Sequence, residues 1–190
     1  MILATSTVAT PLGPLTLATD DHAVRAASFT DRPEELLPRL AATRRATLRR
    51  FRDLGPITAA VGAYFAGDLG AVDGLPVAQP GNPYFQAAWA AMRAVPAGAT
   101  VSYRELAART GDPDAARAAG FACARNQVVL IVPCHRVVRS DGTLGDYYYG
   151  LGVKRWLLRH EGVEVGLPLE TEPPPAAAGA AERQAARARR

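Results

Sequence analysis

The chain has 190 residues, of which 48% are hydrophobic and 21% charged, a globular composition with room for one ordinary domain or two small ones. Lys+Arg 22 against Asp+Glu 18 gives a net charge of +4. Residues 85–169 carry +3 of it, a modest lean toward a polyanion. All but one of the cations are arginines. Two cysteines, Cys123 and Cys134, exclude a disulfide framework, and with His22, His135 and His160 they show no zinc-ligand spacing, so no metal is expected. The N-terminus lacks the pattern of a signal peptide and no apolar stretch approaches membrane-spanning length. The expectation is a cytoplasmic protein with reduced thiols and no membrane partner.

Residues 2–9, 15–19 and 23–29 read as short strands of an antiparallel meander, divided by turns at 11–14 and 20–22. Pro33, following Asp31, opens a helix over 34–40, with Pro38 a candidate break. Arg44, Arg45, Arg49, Arg50 and Arg52 read as a solvated helix face. Pro56 starts an apolar helix through Val61, Tyr64 and Phe65. Residues 67–82, rich in glycine and proline and without periodicity, read as a linker or long surface loop. The division expected is an N-terminal α/β domain over 1–82, with the linker from about 67, then a domain over 83–167.

Asn82 and Pro83 supply an N-cap and a first-turn proline, and Phe85, Trp89 and Met92 form one apolar stripe of core residues. Ser102 to Glu105 is a capping box opening a short helix to Arg109. A turn follows at Thr110 and Gly111, and Asp112 with Pro113 caps a second helix to about Arg125. Two short helices about a glycine turn make a helix-turn-helix candidate. The second helix is almost all small, with Ala115, Ala116, Ala118, Ala119, Gly120 and Ala122 around Arg117, its one long side chain in the middle. So thin a helix fits either a backbone groove or tight core packing.

The stretch 126–139 carries the chemistry. Val128 to Val132 is short and apolar and suits a buried strand that stops at Pro133, which cannot donate to a ladder. Cys134 then stands where the chain leaves the core. His135 and Arg136 supply electropositive surroundings of the kind that lower a thiol pKa. Successive side chains of an extended chain face opposite ways, so contact between Cys134 and His135 needs a water or a tight turn. Asn126 begins beside a buried run and must find partners. Beyond it, 139–142 is a turn, 145–150 a loop with three consecutive tyrosines, and Val153, Trp156 and Leu157 mark a last helix closed by Gly162. Glu161 lies near its end, where the backbone dipole disfavours a carboxylate; it is either paired or exposed. From 168 to 190 the composition is that of a disordered tail.

Pro133-Cys134-His135-Arg136-Val137, with Asn126 eight residues before the cysteine, resembles the active-site signature of the O6-alkylguanine-DNA alkyltransferases, the methylated-DNA–protein-cysteine methyltransferases. The likeness runs from about Pro83 to Gly166. It implies a small N-terminal antiparallel sheet with helices, then a mainly helical domain with a helix-turn-helix and a short buried strand, an α/β fold. It implies single-turnover transfer of the alkyl group of O6-methylguanine in DNA to Cys134, with O4-methylthymine a second candidate substrate, no cofactor and a monomer. His135 is implied as base through a water, Glu161 as its orienting carboxylate, Asn126 as orderer of the turn. Tyr103 is implied as the residue that turns out the nucleotide and donates to it. Arg117 is implied as the finger filling the vacated stack, with Ser102, Ala116, Ala118, Gly120, Arg125 and Arg136 toward DNA. Val137 is implied as carbonyl acceptor for the guanine amino group, and Tyr147, Tyr148 and Tyr149 as pocket residues. Asp146 and Tyr148 depart from the family pattern and put a charge and a ring at the rim. Two other readings stand beside this one: a lesion-binding protein without transfer, and a Cys-His thiol hydrolase.

Overall fold

The computed structural model describes residues 1–37, 40 and 46–164. Pro38, Arg44, Arg45 and the tail over 168–190 lie outside the described residues. The chain forms two compact units; the described part of the first is residues 1–37, 40, 46–80 and 127–131, and of the second 81–126 with 132–164.

In the first unit, β1 (Ile2–Thr10), β2 (Gly13–Thr19) and β3 (Val24–Phe29) form the expected meander. Ala4 faces Thr19 and Leu17 faces Ala27 in antiparallel register. β2 is buried on both sides over its last five residues, as a central strand requires. A cluster of Leu3, Ala18, Ala26, Leu36 and Leu40 fills one part of the core. The helix expected at Pro33 is only a 3-10 turn, Pro33–Leu36. The arginine-rich stretch is a correction. Arg49 and Arg50 lie on β4 (Thr47–Arg50), which pairs parallel with β1 at the edge of the sheet order β3-β2-β1-β4. Thr5 and Ser6 hydroxyls donate to the carbonyls of Arg49 and Arg52, which holds the strand down. Two adjacent arginines suit an edge strand, where charge opposes pairing with another chain.

α1 (Pro56–Phe65) buries Val61 and Tyr64. Residues 67–82 are turn-rich, yet they are tied to β3: Val24 N donates to Pro76 O at 2.8 Å and Ala78 N to Val24 O at 3.0 Å. The run 128–132 corrects another expectation. All five side chains are buried, but only Val128 makes a bridge, to Ala27, and the rest is turn. Leu130 sits at φ 74, which no strand accepts and which costs about 1–3 kcal/mol in a residue with a side chain. An apolar run reports burial and not conformation.

In the second unit, α2 (Pro83–Arg93) begins at Asn82, whose side chain accepts from Phe85 N at 2.8 Å. It buries Trp89 and Met92, while Phe85 is half-buried. Trp89 Nε1 donates to Ala122 O at 2.9 Å and so pins α2 to the later helix. β5 (Val101–Ser102) runs straight into α3 (Tyr103–Arg109), and both bonds of the Ser102–Glu105 capping box are present. Gly111 takes φ 95 in the turn. The next helix, α4 (Ala116–Arg125), starts later than expected. Asp112 spends its carboxylate on Asp114 N and its carbonyl on Ala115 N, closing a turn instead of capping a helix. β6 (Val137–Val138) pairs parallel with β5, and α5 (Leu151–His160) closes at Gly162, which takes φ 81. No helix of the described residues is long and apolar enough to cross a membrane.

Candidate active site and helix-turn-helix

Cys134 opens a 3-10 turn, Cys134–Arg136, rather than standing on extended chain. A tight turn thus replaces the extended chain at this point, and His135 turns its Nε2 to Glu161 rather than to the thiol. The turn is held from behind by Asn126. Its Nδ2 donates to Val132 O at 2.8 Å and lies 3.2 Å from Cys134 Sγ, while Cys134 N donates to Val132 O at 2.9 Å. The thiol is half-exposed; everything supporting it is buried.

Beneath it lies a closed charge cluster. His135 Nε2 and Glu161 Oε1 are 2.9 Å apart. Arg136 grips the same carboxylate through two bonds of 2.9 Å, from Nε to Oε2 and from Nη2 to Oε1, and gives Nη1 to Val95 O. Such bidentate, charge-assisted pairs are strong and fix orientation. Burial alone would raise the Glu161 carboxyl, but hydrogen bonds and charges from His135 and Arg136 outweigh it and hold it well below the usual range. Burial pushes the His135 imidazole below its ordinary value, against the opposing pull of Glu161. A carboxylate can only accept, so the neutral ring carries its proton on Nε2. Nδ1 is left with its lone pair, buried and without a hydrogen bond to any described residue. Glu161 is therefore paired. Arg136 is a correction: at 1% exposure, with Nε, Nη1 and Nη2 each bonded to Glu161 or Val95, it is placed to hold the carboxylate and not to meet DNA.

The β5–β6 pairing sets Val101 beside Val137 and Ser102 beside Val138, which brings the start of α3 to the thiol turn. Burial, with Cys123, Cys134 and Asp146 nearby, pushes the Tyr103 phenol up and keeps it a donor. Gly145 backs onto it: a Cβ there would lie 3.0 Å from Tyr103 Oη, at a φ of 66. Lys154, missed by sequence reasoning, is fully buried under this loop, with Nζ donating to Val137 O at 2.5 Å and to Leu144 O. Burial pulls it down to about 8. Its signal was present, since it is the one lysine of the chain. Tyr149 is buried and meets the rings of Tyr148 and Tyr147 at 5.0 and 5.7 Å, while Asp146 is exposed.

On α4, Ala119 and Ala122 face inward at 0% exposure, whereas Arg117 and Arg125 are exposed and Ala116, Ala118 and Gly120 half-buried. The small residues Ala119 and Ala122 serve tight core packing, and the opposite side of the helix stays open. A half-exposed thiol over a charged relay, in the same unit as a helix-turn-helix, is the layout of a DNA-binding transferase. A family profile described as the DNA binding domain of 6-O-methylguanine DNA methyltransferase matches residues 83–163.

The whole-chain likenesses narrow this class. The methylated-DNA–protein-cysteine methyltransferase of Salmonella typhimurium is 39% identical over 168 residues, which is 82% of this chain and 93% of that protein. The one from Methanosarcina acetivorans is 34% identical, covering 80% of this chain and 94% of that one. Mycobacterium tuberculosis OGT, solved in complex with DNA, superposes with a TM-score of 0.69 at 31% identity, over 83% of this chain and 92% of that chain. The chain belongs to the methylated-DNA–protein-cysteine methyltransferase family.

Proposed function

We propose that this chain repairs DNA by moving the alkyl group of an O6-alkylguanine onto its own Cys134, once per molecule, as a monomer in the cytoplasm. The observation that carries the reading is the relay under the thiol, in which a neutral His135 is oriented by an ionised Glu161 clamped by Arg136. The thiol proton passes to His135 Nδ1 through a water, and Glu161 stabilises the imidazolium. Cys134 Sγ attacks the alkyl carbon in line; the S–C bond forms as the O6–C bond breaks, and its electron pair leaves on O6. Tyr103 donates its hydrogen to the departing guanine, a role suited to a phenol kept protonated. Val137 O, held by Lys154, accepts from the guanine amino group, and the tyrosine loop borders the base.

Because the nucleotide must leave the stack, recognition falls to the helix-turn-helix, with Arg117 filling the gap and Ser102, Arg125 and the small residues of α4 near the backbone. The product thioether is a very poor leaving group, so the chain is spent. Quench-flow with excess O6-methylguanine duplex tests this: one equivalent of repaired base per chain, then none, is expected. Continued turnover on an ester would favour a thiol hydrolase. Lesion binding without repair would favour a recognition protein.

A further inference from the structure

Phe121 stands out on α4. At 58% exposure it is the one aromatic on a helix otherwise made of Ala, Gly, Cys and Arg. Arg117 is therefore not the one long side chain of this helix. Phe121 follows Arg117 by four residues and precedes Arg125 by four, and all three are exposed, so they form one outward stripe. Neither arginine makes an ion pair among the described residues, and the helix has no acidic residue. A bare ring between two unpaired cations is poor design for solvent and also for pairing with a second copy, whose arginines would meet like charges. It suits a polyanion with an apolar interior, which is what a nucleic-acid duplex is. Gly120 fixes the neighbourhood: a Cβ there would lie 4.0 Å from the ring of Tyr103, so the stripe borders the residue assigned to base extrusion.

We propose that Phe121 is a second insertion residue, whose ring enters the minor groove of duplex DNA one helical turn from Arg117 and unstacks a neighbouring base step. This rests on the DNA-repair reading above and adds to it a residue that sets how easily the lesion leaves the stack. Side chains four apart on a helix rise by about 6 Å along its axis. Base steps are about 3.4 Å apart, so the ring faces a step one or two away from the gap that Arg117 fills. Apolar wedges that pry open such steps kink the duplex and make extrusion easier. The two cations hold the flanking phosphates while the ring is driven in.

The test uses the full chain and a duplex carrying O6-methylguanine with 2-aminopurine two steps away. In a Cys134→Ala background, binding should raise the 2-aminopurine fluorescence, and adding Phe121→Ala should remove most of that rise. With Cys134 intact, Phe121→Ala should lower the ratio of duplex repair to transfer from free O6-benzylguanine about tenfold. Phe121→Trp should keep the ratio, and Phe121→Lys, which adds charge but no wedge, should not. Unchanged fluorescence in Phe121→Ala, or a ratio restored by Lys, overturns the proposal. A concentration-dependent dimer that Phe121→Ala dissolves also overturns it, by giving the ring to self-association. Absence of any methyl transfer in the unmodified chain would fail the repair reading, while the fluorescence arm still reads the insertion.

Discussion

The underside of the thiol turn and the outer face of α4 belong to one unit and are built on opposite rules. Beneath Cys134, His135, Arg136 and Glu161 are all buried, and the guanidinium and carboxylate satisfy one another. On α4 the large side chains, Arg117, Phe121 and Arg125, stand in solvent. Groups that must hold an orientation during chemistry are locked before substrate arrives, whereas groups that meet the duplex are left open to be desolvated by it. Damage to the first region should cost fold and rate together. Damage to the second should cost only what depends on duplex DNA.

The largest effect is expected at the thiol. Cys134→Ala should abolish methyl transfer while DNA affinity, carried mostly by phosphate contacts, stays close to that of the unmodified chain in gel-shift titrations. Cys123 should not substitute, because burial, with Cys134 beside it, pushes its thiol up. Transfer surviving in the mutant would contradict this.

Next in size is Glu161→Gln, which keeps the shape and removes the charge. It leaves Arg136 buried without its counter-ion and should lower stability by about 3–5 kcal/mol in denaturant melts. Transfer, measured where the variant is still folded, should slow by roughly 100-fold or more as His135 loses its orientation. Stability lost at an undiminished rate would make the cluster structural only.

The same cluster predicts a pH dependence. His135 is held below 6.5 in the folded chain and Glu161 below 4.5. As pH falls under either value the unfolded chain takes up protons first, so stability declines on the acid side, beginning near 6.5 and steepening under 4.5. The acid limb of the transfer rate should likewise lie below 6.5, since the base must be neutral. A limb at or above 6.5 would mean that the imidazole is not buried during the reaction.

A smaller, more selective effect is expected on the helix face. Arg117→Ala should slow repair in duplex DNA by about tenfold while transfer from free O6-benzylguanine falls far less. Equal losses on the two substrates would give Arg117 a folding role and erase the contrast between the regions. Least of all, Tyr148→Ser should relax a preference for methyl over benzyl groups by a few fold, as expected from relief of overpacking at the pocket edge. An unchanged ratio of second-order rate constants would leave the ring out of selectivity.

Local signals were well written in the sequence. The Asn82 cap, the Ser102–Glu105 box and the meander strands follow from rules that act over a few residues, and each is where those rules put it. The thiol signature was legible for another reason: its residue types are set by chemistry, and a five-residue string with Asn126 at a fixed distance carries much information. What escaped was set by partners far along the chain. Arg49 and Arg50 lie on a strand because β1 offers an edge, and Thr5 and Ser6 offer hydroxyls to the carbonyls of Arg49 and Arg52. Val129 to Ile131 turns between Val128, bridged to Ala27, and Val132, whose carbonyl accepts from Asn126. Arg136 looked like a surface cation until Glu161, twenty-five residues on, claimed it. Lys154 was visible as an isolated lysine, but nothing local says that two carbonyls await it.

The buried relay is proposed to serve one sulfur atom. Peptide mapping by mass spectrometry, after the unmodified chain has consumed an excess of O6-methylguanine duplex, reads it most directly. One methyl per chain, confined to the peptide bearing Cys134, is the predicted result. Methyl groups on Cys123 or spread over several peptides, or an unmodified Cys134 beside repaired DNA, would contradict it.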